Sequence, residues 1–98
     1  MIANYYHKGL EKFIKDGDPR GVTPSHIPRL KSIFKVLNQA KSPFELQGLR
    51  MHRLHSTINT HLSTNDGYAI RVTGNWRIVF RFDQKLKTIC DVDYLDYH

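Results

Sequence analysis

Residues 68–82, YAIRVTGNWRIVFRF, decide the fold, because apolar and basic residues alternate on both sides of the Gly74-Asn75 pair. Successive side chains of a β-strand point to opposite faces of a sheet. The alternation therefore predicts a β-hairpin with one face in a core and the other face in water.

The register of this hairpin determines which side chains face the core. A two-residue loop at Gly74-Asn75 would mix apolar and basic residues on both faces. A three-residue connection, residues 73–75, keeps the apolar set on one face, so we predict that connection, with Gly or Asn at a positive φ. The expected apolar pairs are Val72 with Trp76, Ile70 with Ile78 and Tyr68 with Phe80.

The same register predicts a basic face on the other side of the hairpin. Arg71 would lie opposite Arg77, and Arg81 would follow further along. Like charges directly opposite each other destabilise a sheet, so this face favours either a bound anion or nearby carboxylates. Asp91 and Asp93, expected on the same face of the last strand, are one possible source of carboxylates.

Helices are expected before the hairpin. Apolar spacing predicts a short helix over about residues 7–15 and a second helix that begins at residues 23–25 and ends at 39 or 40. A further helical turn is expected from Ser42, because Ser-Pro-Phe-Glu has the pattern of a capping box with Pro at the first helical position.

Extended segments account for the rest of the chain. Gly48 is expected to release the chain into an extended piece, residues 49–54, and a polar loop would cover residues 56–66. The last strand, residues 88–94, alternates again. Its expected faces are Cys90, Val92 and Tyr94 on one side and Asp91 and Asp93 on the other.

The order of these elements predicts one α+β domain, residues 1–98. N-terminal helices would cover one face of a small antiparallel sheet, and the opposite face would stay open to solvent. We find no apolar run of transmembrane length and no signal peptide, so a cytosolic protein without membrane association is the default expectation. The single cysteine, Cys90, excludes an internal disulfide framework and is expected to be a buried apolar residue.

The charge balance favours a polyanionic partner. Fifteen Lys and Arg against nine Asp and Glu leave a net charge of +6. Nucleic acid, an acidic protein or a membrane surface would each fit, and a merely solvated basic surface is the simpler alternative.

The six histidines raise the question of a metal site. His52 and His55 are three residues apart and would point to opposite faces of a strand, and no second cysteine or HExxH-type pair accompanies them. We therefore expect neither a metal nor another cofactor. A cysteine nucleophile is not expected either, because Cys90 would lie on a core face.

Acid–base chemistry on a phosphodiester suits the residues better. Cleavage of RNA by its own 2′-OH needs a base for the 2′ proton, an acid for the 5′ oxygen and positive charge at the phosphorane. Histidine can fill either proton role, and arginine offers a planar fork to phosphate. The candidates are Arg71, Arg77 and Arg81 on the hairpin, His55 and His61 in the loop, and Asp96, Tyr97 and His98 at the end.

Each candidate has a simpler interpretation. The arginines could pair only with Asp91 and Asp93, His55 and His61 could be loop surface, and the last three residues could be a frayed end. Trp76, Phe80 and Tyr94 are expected to be core residues rather than a base-stacking platform.

The run RVTGNWRIVFRF, residues 71–82, followed by VDYLDYH, residues 92–98, resembles the HigB toxins of the RelE superfamily. The resemblance implies a RelE-like α+β domain that cleaves mRNA in the ribosomal A site. It also implies a HigA-like helix-turn-helix antitoxin as partner, and operator DNA bound only through the complex with that antitoxin.

The resemblance also implies roles for individual residues. Arg77 matches the arginine that acts at the phosphate, and the catalytic tail falls on Asp96, Tyr97 and His98. Apart from the resemblance, we expect the basic residues Arg53, Arg71 and Arg81 to contact the RNA.

The loop before the hairpin departs from the family's His-Pro-Leu-Lys-Gly motif. It reads RLHSTINTHLS over residues 53–63, and it lacks Pro, Lys and Gly. His55 matches by its preceding Arg-Leu, and His61 stands near the place of the lysine, so both stay catalytic candidates. Two other functions remain open: a basic module that binds without cleaving, and an inactivated toxin that still binds an antitoxin.

Overall fold

The computed structural model describes residues 2–53 and 67–96, and there the chain has helices followed by a sheet. Helix α1 is Lys8–Asp16 and helix α2 is Ile27–Leu37. Three 3₁₀ segments are Pro19–Gly21, Pro24–His26 and Pro43–Leu49. The strands are β1 His52–Arg53, β2 Gly67–Thr73, β3 Trp76–Asp83 and β4 Thr88–Asp96. They form an antiparallel sheet in chain order, which confirms the α+β class.

Helix α1 has local signals at both ends. The His7 ring Nδ1 accepts a hydrogen bond from the backbone N–H of Leu10 at 2.9 Å and so caps the first turn. Gly17 ends the helix in the left-handed conformation, with φ +75°, which glycine adopts at no steric cost.

Helix α2 is shorter than the apolar spacing predicted. It ends at Leu37 instead of residue 39 or 40. The N–H groups of Gln39 and Ala40 bond to carbonyls three residues back, on Val36 and Leu37, at 3.1 and 3.4 Å. The final turn therefore tightens into 3₁₀ geometry, which satisfies carbonyls that the end of an α-helix leaves without partners.

The capping box at Ser42 is confirmed, but the segment that it starts is longer than expected. The Glu45 carboxylate accepts hydrogen bonds from the backbone N–H groups of Lys41 and Ser42 at 2.6 and 2.9 Å. The 3₁₀ segment then continues through Gly48 to Leu49. Arg50, with φ +55°, ends it, so the prediction that Gly48 releases the chain was wrong.

The hairpin combines features of both loop lengths. Ile70 pairs with Ile78, Tyr68 with Phe80 and Arg71 with Arg77, as predicted. The pairing of Val72 with Trp76 was wrong, because Thr73 pairs with Trp76 across a two-residue turn and an irregularity falls between Arg71 and Thr73. One extra residue in β2 lets the tight turn and the apolar register coexist. Gly74 takes the positive φ, +55°.

A second irregularity reverses the predicted face of Cys90. Asp91 has φ +57°, and the pairing of β3 with β4 shifts between Val79 and Arg81. Cys90 consequently pairs with Arg81 and lies outside the main core, whereas Val92 and Tyr94 belong to it. Cys90 is buried, as expected, but it does not share a face with Val92 and Tyr94.

The N-terminal segment extends the sheet, which the sequence patterns did not predict. Ile2 and Tyr5 bridge β4 in parallel at Ile89 and Val92, and the N–H of Ala3 bonds to the Ile89 carbonyl at 2.7 Å. This contact covers an edge that would otherwise expose a row of backbone groups.

The core lies between the helices and one face of the sheet. Its fully buried members are Leu10, Leu30, Ile33, Leu37, Leu46, Ile70, Ile78, Phe80, Ile89 and Val92. The other face is not open along its length, contrary to expectation, because Ala69, Val79 and Cys90 are buried there. Within residues 2–53 and 67–96, none of the helices has the length and apolar character needed to cross a bilayer.

Candidate active site

Two arginines meet at the turn end of the central hairpin. Arg71 on β2 and Arg77 on β3 are direct cross-strand partners, so their side chains leave the same face of the sheet side by side. Arg71 is exposed and Arg77 is half-buried. The predicted convergence of positive charge is therefore confirmed at this pair.

The turn holds Arg77 in place. Its Nη1 donates to the carbonyls of Gly74 and Trp76, at 2.8 and 3.0 Å. Both acceptors belong to the turn or to the residue next to Arg77, so the guanidinium is anchored against its own hairpin. A fixed cation is what electrostatic stabilisation of a phosphorane requires, because no reorganisation is then needed during reaction.

Arg81 has a different environment from the other two arginines. Its Nε lies 3.2 Å from Oδ2 of Asp91, and both side chains are partly buried. The simpler interpretation, an arginine paired with a carboxylate of the last strand, is therefore confirmed for Arg81. This ion pair joins β3 to the irregular part of β4.

The end of β4 lies beside the arginine pair. Leu95 pairs with Arg77 and Asp96 pairs with Trp76, so β4 ends at the turn end of the hairpin. By strand alternation Asp96 belongs to the face of Trp76, one position along from Arg77 and on the other side of the sheet. Asp96 is exposed.

Four of the predicted catalytic residues lie outside the described residues: His55, His61, Tyr97 and His98. Arg53 is on β1, opposite Tyr68 in the register. Among the predicted site residues, the fold thus brings Arg71, Arg77 and Asp96 to one end of the sheet, and it places Arg81 in an ion pair further along.

A buried polar cluster supports the turn end of the sheet from the helix side. His26 is only 4% exposed and Tyr94 only 3%, and the His26 Nδ1 is hydrogen-bonded to the Tyr94 hydroxyl. The Trp76 ring lies against both, with ring centroids 5.4 Å from His26 and 4.6 Å from Tyr94. Trp76 immediately precedes Arg77, so this cluster fixes the backbone that carries the arginine.

Sequence reasoning missed His26 as a buried residue. A usable signal was present, because His26, Leu30, Ile33 and Leu37 follow one another at spacings of four, three and four, which is one face of a helix. Because only apolar residues were assigned to the buried face of this helix, His26 was not included.

A basic cleft beside the hairpin was also missed. It has a volume of about 250 Å³ and is lined by Arg29, Leu49, Arg50, His52, Arg71 and Val72. Its residues come from helix α2, the last 3₁₀ segment and two strands, so no local motif could have indicated it.

Comparison with known proteins agrees with this arrangement. The family of RelE-like toxins of the type II toxin–antitoxin system HigB matches residues 3–98. The chain belongs to this family. It is also 30% identical to a protein named endoribonuclease HigB from Proteus vulgaris, over the full length of both chains.

The match to the HigB-like family covers nearly the whole chain, whereas the resemblance noted in the sequence was carried by the hairpin and the C-terminal residues. The match begins at the N-terminal segment that bridges β4 and ends at the last residue. The family match therefore includes the loop that departs from the expected histidine motif.

Proposed function

We propose that this protein is an endoribonuclease toxin that cleaves mRNA in the ribosomal A site. The observation that carries the proposal is the Arg71–Arg77 pair beside the end of β4. Membership of the HigB-like toxin family and the relative named endoribonuclease HigB support the reaction class.

In the proposed reaction the 2′-oxygen of one nucleotide attacks the adjacent phosphorus. The 2′-O–P bond forms, the bond from phosphorus to the 5′-oxygen breaks, and the products are a cyclic phosphate and a 5′-hydroxyl. Arg77 stabilises the charge that develops on the phosphoryl oxygens, because its guanidinium is already held by the Gly74 and Trp76 carbonyls. Arg71, across the strand, draws the RNA backbone to the same face.

Histidines perform the proton transfers in this proposal. One takes the 2′ proton and another protonates the 5′ oxygen, and the candidates are His98 with His55 or His61. Asp96 orients or stabilises a charged histidine from the end of β4, and Tyr97 stacks on a base or donates a proton. Arg53, Arg71 and Arg81 contribute positive charge along the path of the RNA, Arg81 from within its ion pair with Asp91.

The ribosome supplies what this small surface lacks. Holding the scissile nucleotide in the geometry for in-line attack can contribute several kcal/mol to the reaction, and an RNA bound in the A site already has restricted freedom. Membership of a type II toxin–antitoxin family supports an antitoxin as the neutralising partner. We propose that this antitoxin is HigA-like and that operator DNA is contacted only through its complex with the toxin.

The test is cleavage of ribosome-bound mRNA by Arg77→Ala. Loss of one fixed cation at the phosphorane should lower kcat about 10²- to 10³-fold, by analogy with removal of one oxyanion donor. Arg20→Ala is the matched control, because Arg20 is an exposed arginine whose partner is the neighbouring Asp18. Full cleavage by Arg77→Ala would overturn the assignment.

Histidine variants separate an active enzyme from the two alternatives. His55→Ala, His61→Ala and a variant lacking His98 should each be tested in the same assay, and loss of cleavage identifies the proton-transfer residues. A wild-type protein that binds an antitoxin but yields no discrete mRNA products would instead support the inactivated homologue, for which the altered loop is the specific reason.

A further inference from the structure

We propose that the cleft lined by Arg29, Arg50, His52 and Arg71 is a second phosphate site, which binds the RNA backbone next to the scissile phosphate. The inference rests on the proposed function and deepens it, because it extends the path of the substrate beyond the Arg71–Arg77 pair. The cleft, about 250 Å³ in volume, lies where β1 begins, next to the part of β2 that continues toward its turn.

The free edge of β2 explains how the cleft is built. Among the described residues, β1 pairs with β2 at Tyr68 and Ala69, so the carbonyl of Arg71 lies beyond His52, the first residue of β1. The Arg29 side chain takes the place of the missing strand, with Nε and Nη2 donating to that carbonyl at 3.2 and 3.1 Å. A cation from helix α2 is thereby held against the residue that faces Arg77.

Arg50 and His52 complete the cleft from the other side. Arg50 ends the 3₁₀ segment with φ +55°, and this reversal directs the chain into β1. His52 pairs with Ala69, and by strand alternation it shares the face of Arg71. Both Arg50 and His52 are exposed, whereas Leu49 and Val72 are buried at the cleft.

The arginines of the cleft lie outside the ion pairs of the described chain. Within residues 2–53 and 67–96, no ion pair involves Arg29, Arg50 or Arg71. The described residues that line the cleft include no carboxylate. Arginines that converge without counter-charges repel one another, and a bound anion relieves that repulsion.

The chemistry of the lining favours a phosphodiester over a carboxylate-bearing protein. Planar guanidinium forks match phosphate oxygens, and the exposed His52 ring can stack on an unpaired base. Arg71 belongs both to the cleft and to the pair with Arg77, so one continuous backbone can contact both sites. An acidic face of an antitoxin is the competing ligand, and the experiment distinguishes it.

The test measures binding of a single-stranded RNA oligonucleotide with 2′-O-methyl groups, which cannot be cleaved. Each phosphate contact to a single strand contributes about 0.7 to the slope of log K against log salt. Arg50→Ala should make this negative slope shallower by about 0.7. Between 50 and 200 mM salt, the affinity of the wild type for the oligonucleotide should then fall roughly threefold more than that of the variant. Arg50→Lys should restore the slope, and both variants keep the Cβ, so the backbone strain at residue 50 is unchanged.

Lys35→Ala is the matched control, because Lys35 is an exposed cation on α2 outside the cleft. An unchanged slope for Arg50→Ala, or an equal change for Lys35→Ala, would overturn the proposed site. Reduced binding of an acidic antitoxin with unchanged RNA binding would also overturn it. Because the probe is not cleaved, the result is independent of the nuclease assay. In that assay, Arg50→Ala should raise KM and leave kcat unchanged.

Discussion

Replacing Tyr94 by phenylalanine tests the buried cluster that supports the candidate site. Tyr94 and His26 are 3% and 4% exposed, and the Tyr94 hydroxyl is bonded to the His26 Nδ1. Phenylalanine preserves the ring that contacts Trp76 at 4.6 Å between centroids, so the packing is retained and only the hydroxyl is lost.

The expected cost follows from the polar group that remains. A buried hydrogen-bonding atom without its partner costs about 1–3 kcal/mol, which is more than the net contribution of an ordinary hydrogen bond. For a domain of this size, each kcal/mol lowers Tm by roughly 4–8 °C. Tyr94→Phe should therefore lower Tm by about 10 °C and shift the urea midpoint with an unchanged m-value.

A double-mutant cycle assigns this cost to the His26–Tyr94 pair. His26→Leu alone leaves the hydroxyl without its partner, whereas His26→Leu with Tyr94→Phe removes both polar groups. The double variant should lose less stability than the sum of the single variants, with a coupling energy of about 1–2 kcal/mol. A Tyr94→Phe cost below about 0.5 kcal/mol, or additive single effects, would refute the role of this bond.

Two further predictions concern local structure at α1 and the segment that follows it. Gly21→Ala should cost about 1–3 kcal/mol in urea unfolding, because Gly9 and Gly21 meet backbone to backbone and an added Cβ has nowhere to move. Gly48→Ala is the control, since nothing lies within 4 Å of its Cβ, and it should be neutral or slightly stabilising; a loss at Gly48 as large as that at Gly21 would contradict the packing argument. The hydrogen bonds from Arg20 lower the pKa of Asp18 from about 3.8 to about 2, so the ionised carboxylate stabilises the fold above pH 4 and that contribution is lost as the pH falls toward 2. Arg20→Ala removes the guanidinium but keeps the backbone N–H that donates to Asp18 Oδ1 at 3.1 Å, so in a ¹³C NMR titration the Asp18 pKa should rise only part of the way to its ordinary value. A pKa that stays near 2 would show that the guanidinium is not the main cause.

The alternating pattern of the hairpin predicted most of its strand pairing but not its irregularities. The pattern of residues 68–82 predicted three correct pairs, because burial of one apolar set leaves few acceptable registers. It did not predict the irregularity before Thr73, since an extra residue changes one pair and leaves the rest of the pattern intact. Alternation also failed to predict the face of Cys90, because the positive φ of Asp91 and the register shift beside it place Cys90 on the face opposite to the predicted one.

Some contacts of the candidate site could be predicted from the sequence, and others could not. Arg71 and Arg77 could be paired from the sequence, because a hairpin joins residues that are close along the chain. His26 could not be placed against Tyr94, from which it is separated by 68 residues, because helix–sheet packing decides that contact. The preference of Arg81 for Asp91 was left open by the sequence and was decided by the cross-strand geometry.

The α+β order, the hairpin with its arginine pair and the likeness to HigB toxins could all be predicted from the amino-acid sequence, because each depends on a local pattern or on a contiguous motif. Three contacts became apparent from the three-dimensional structure: Arg29 bonds to the edge of β2, Arg50 and His52 share a cleft with Arg71, and His26 packs against Trp76. Those contacts join segments far apart in the chain, and packing of the helices on the sheet, which no local pattern encodes, brings them together.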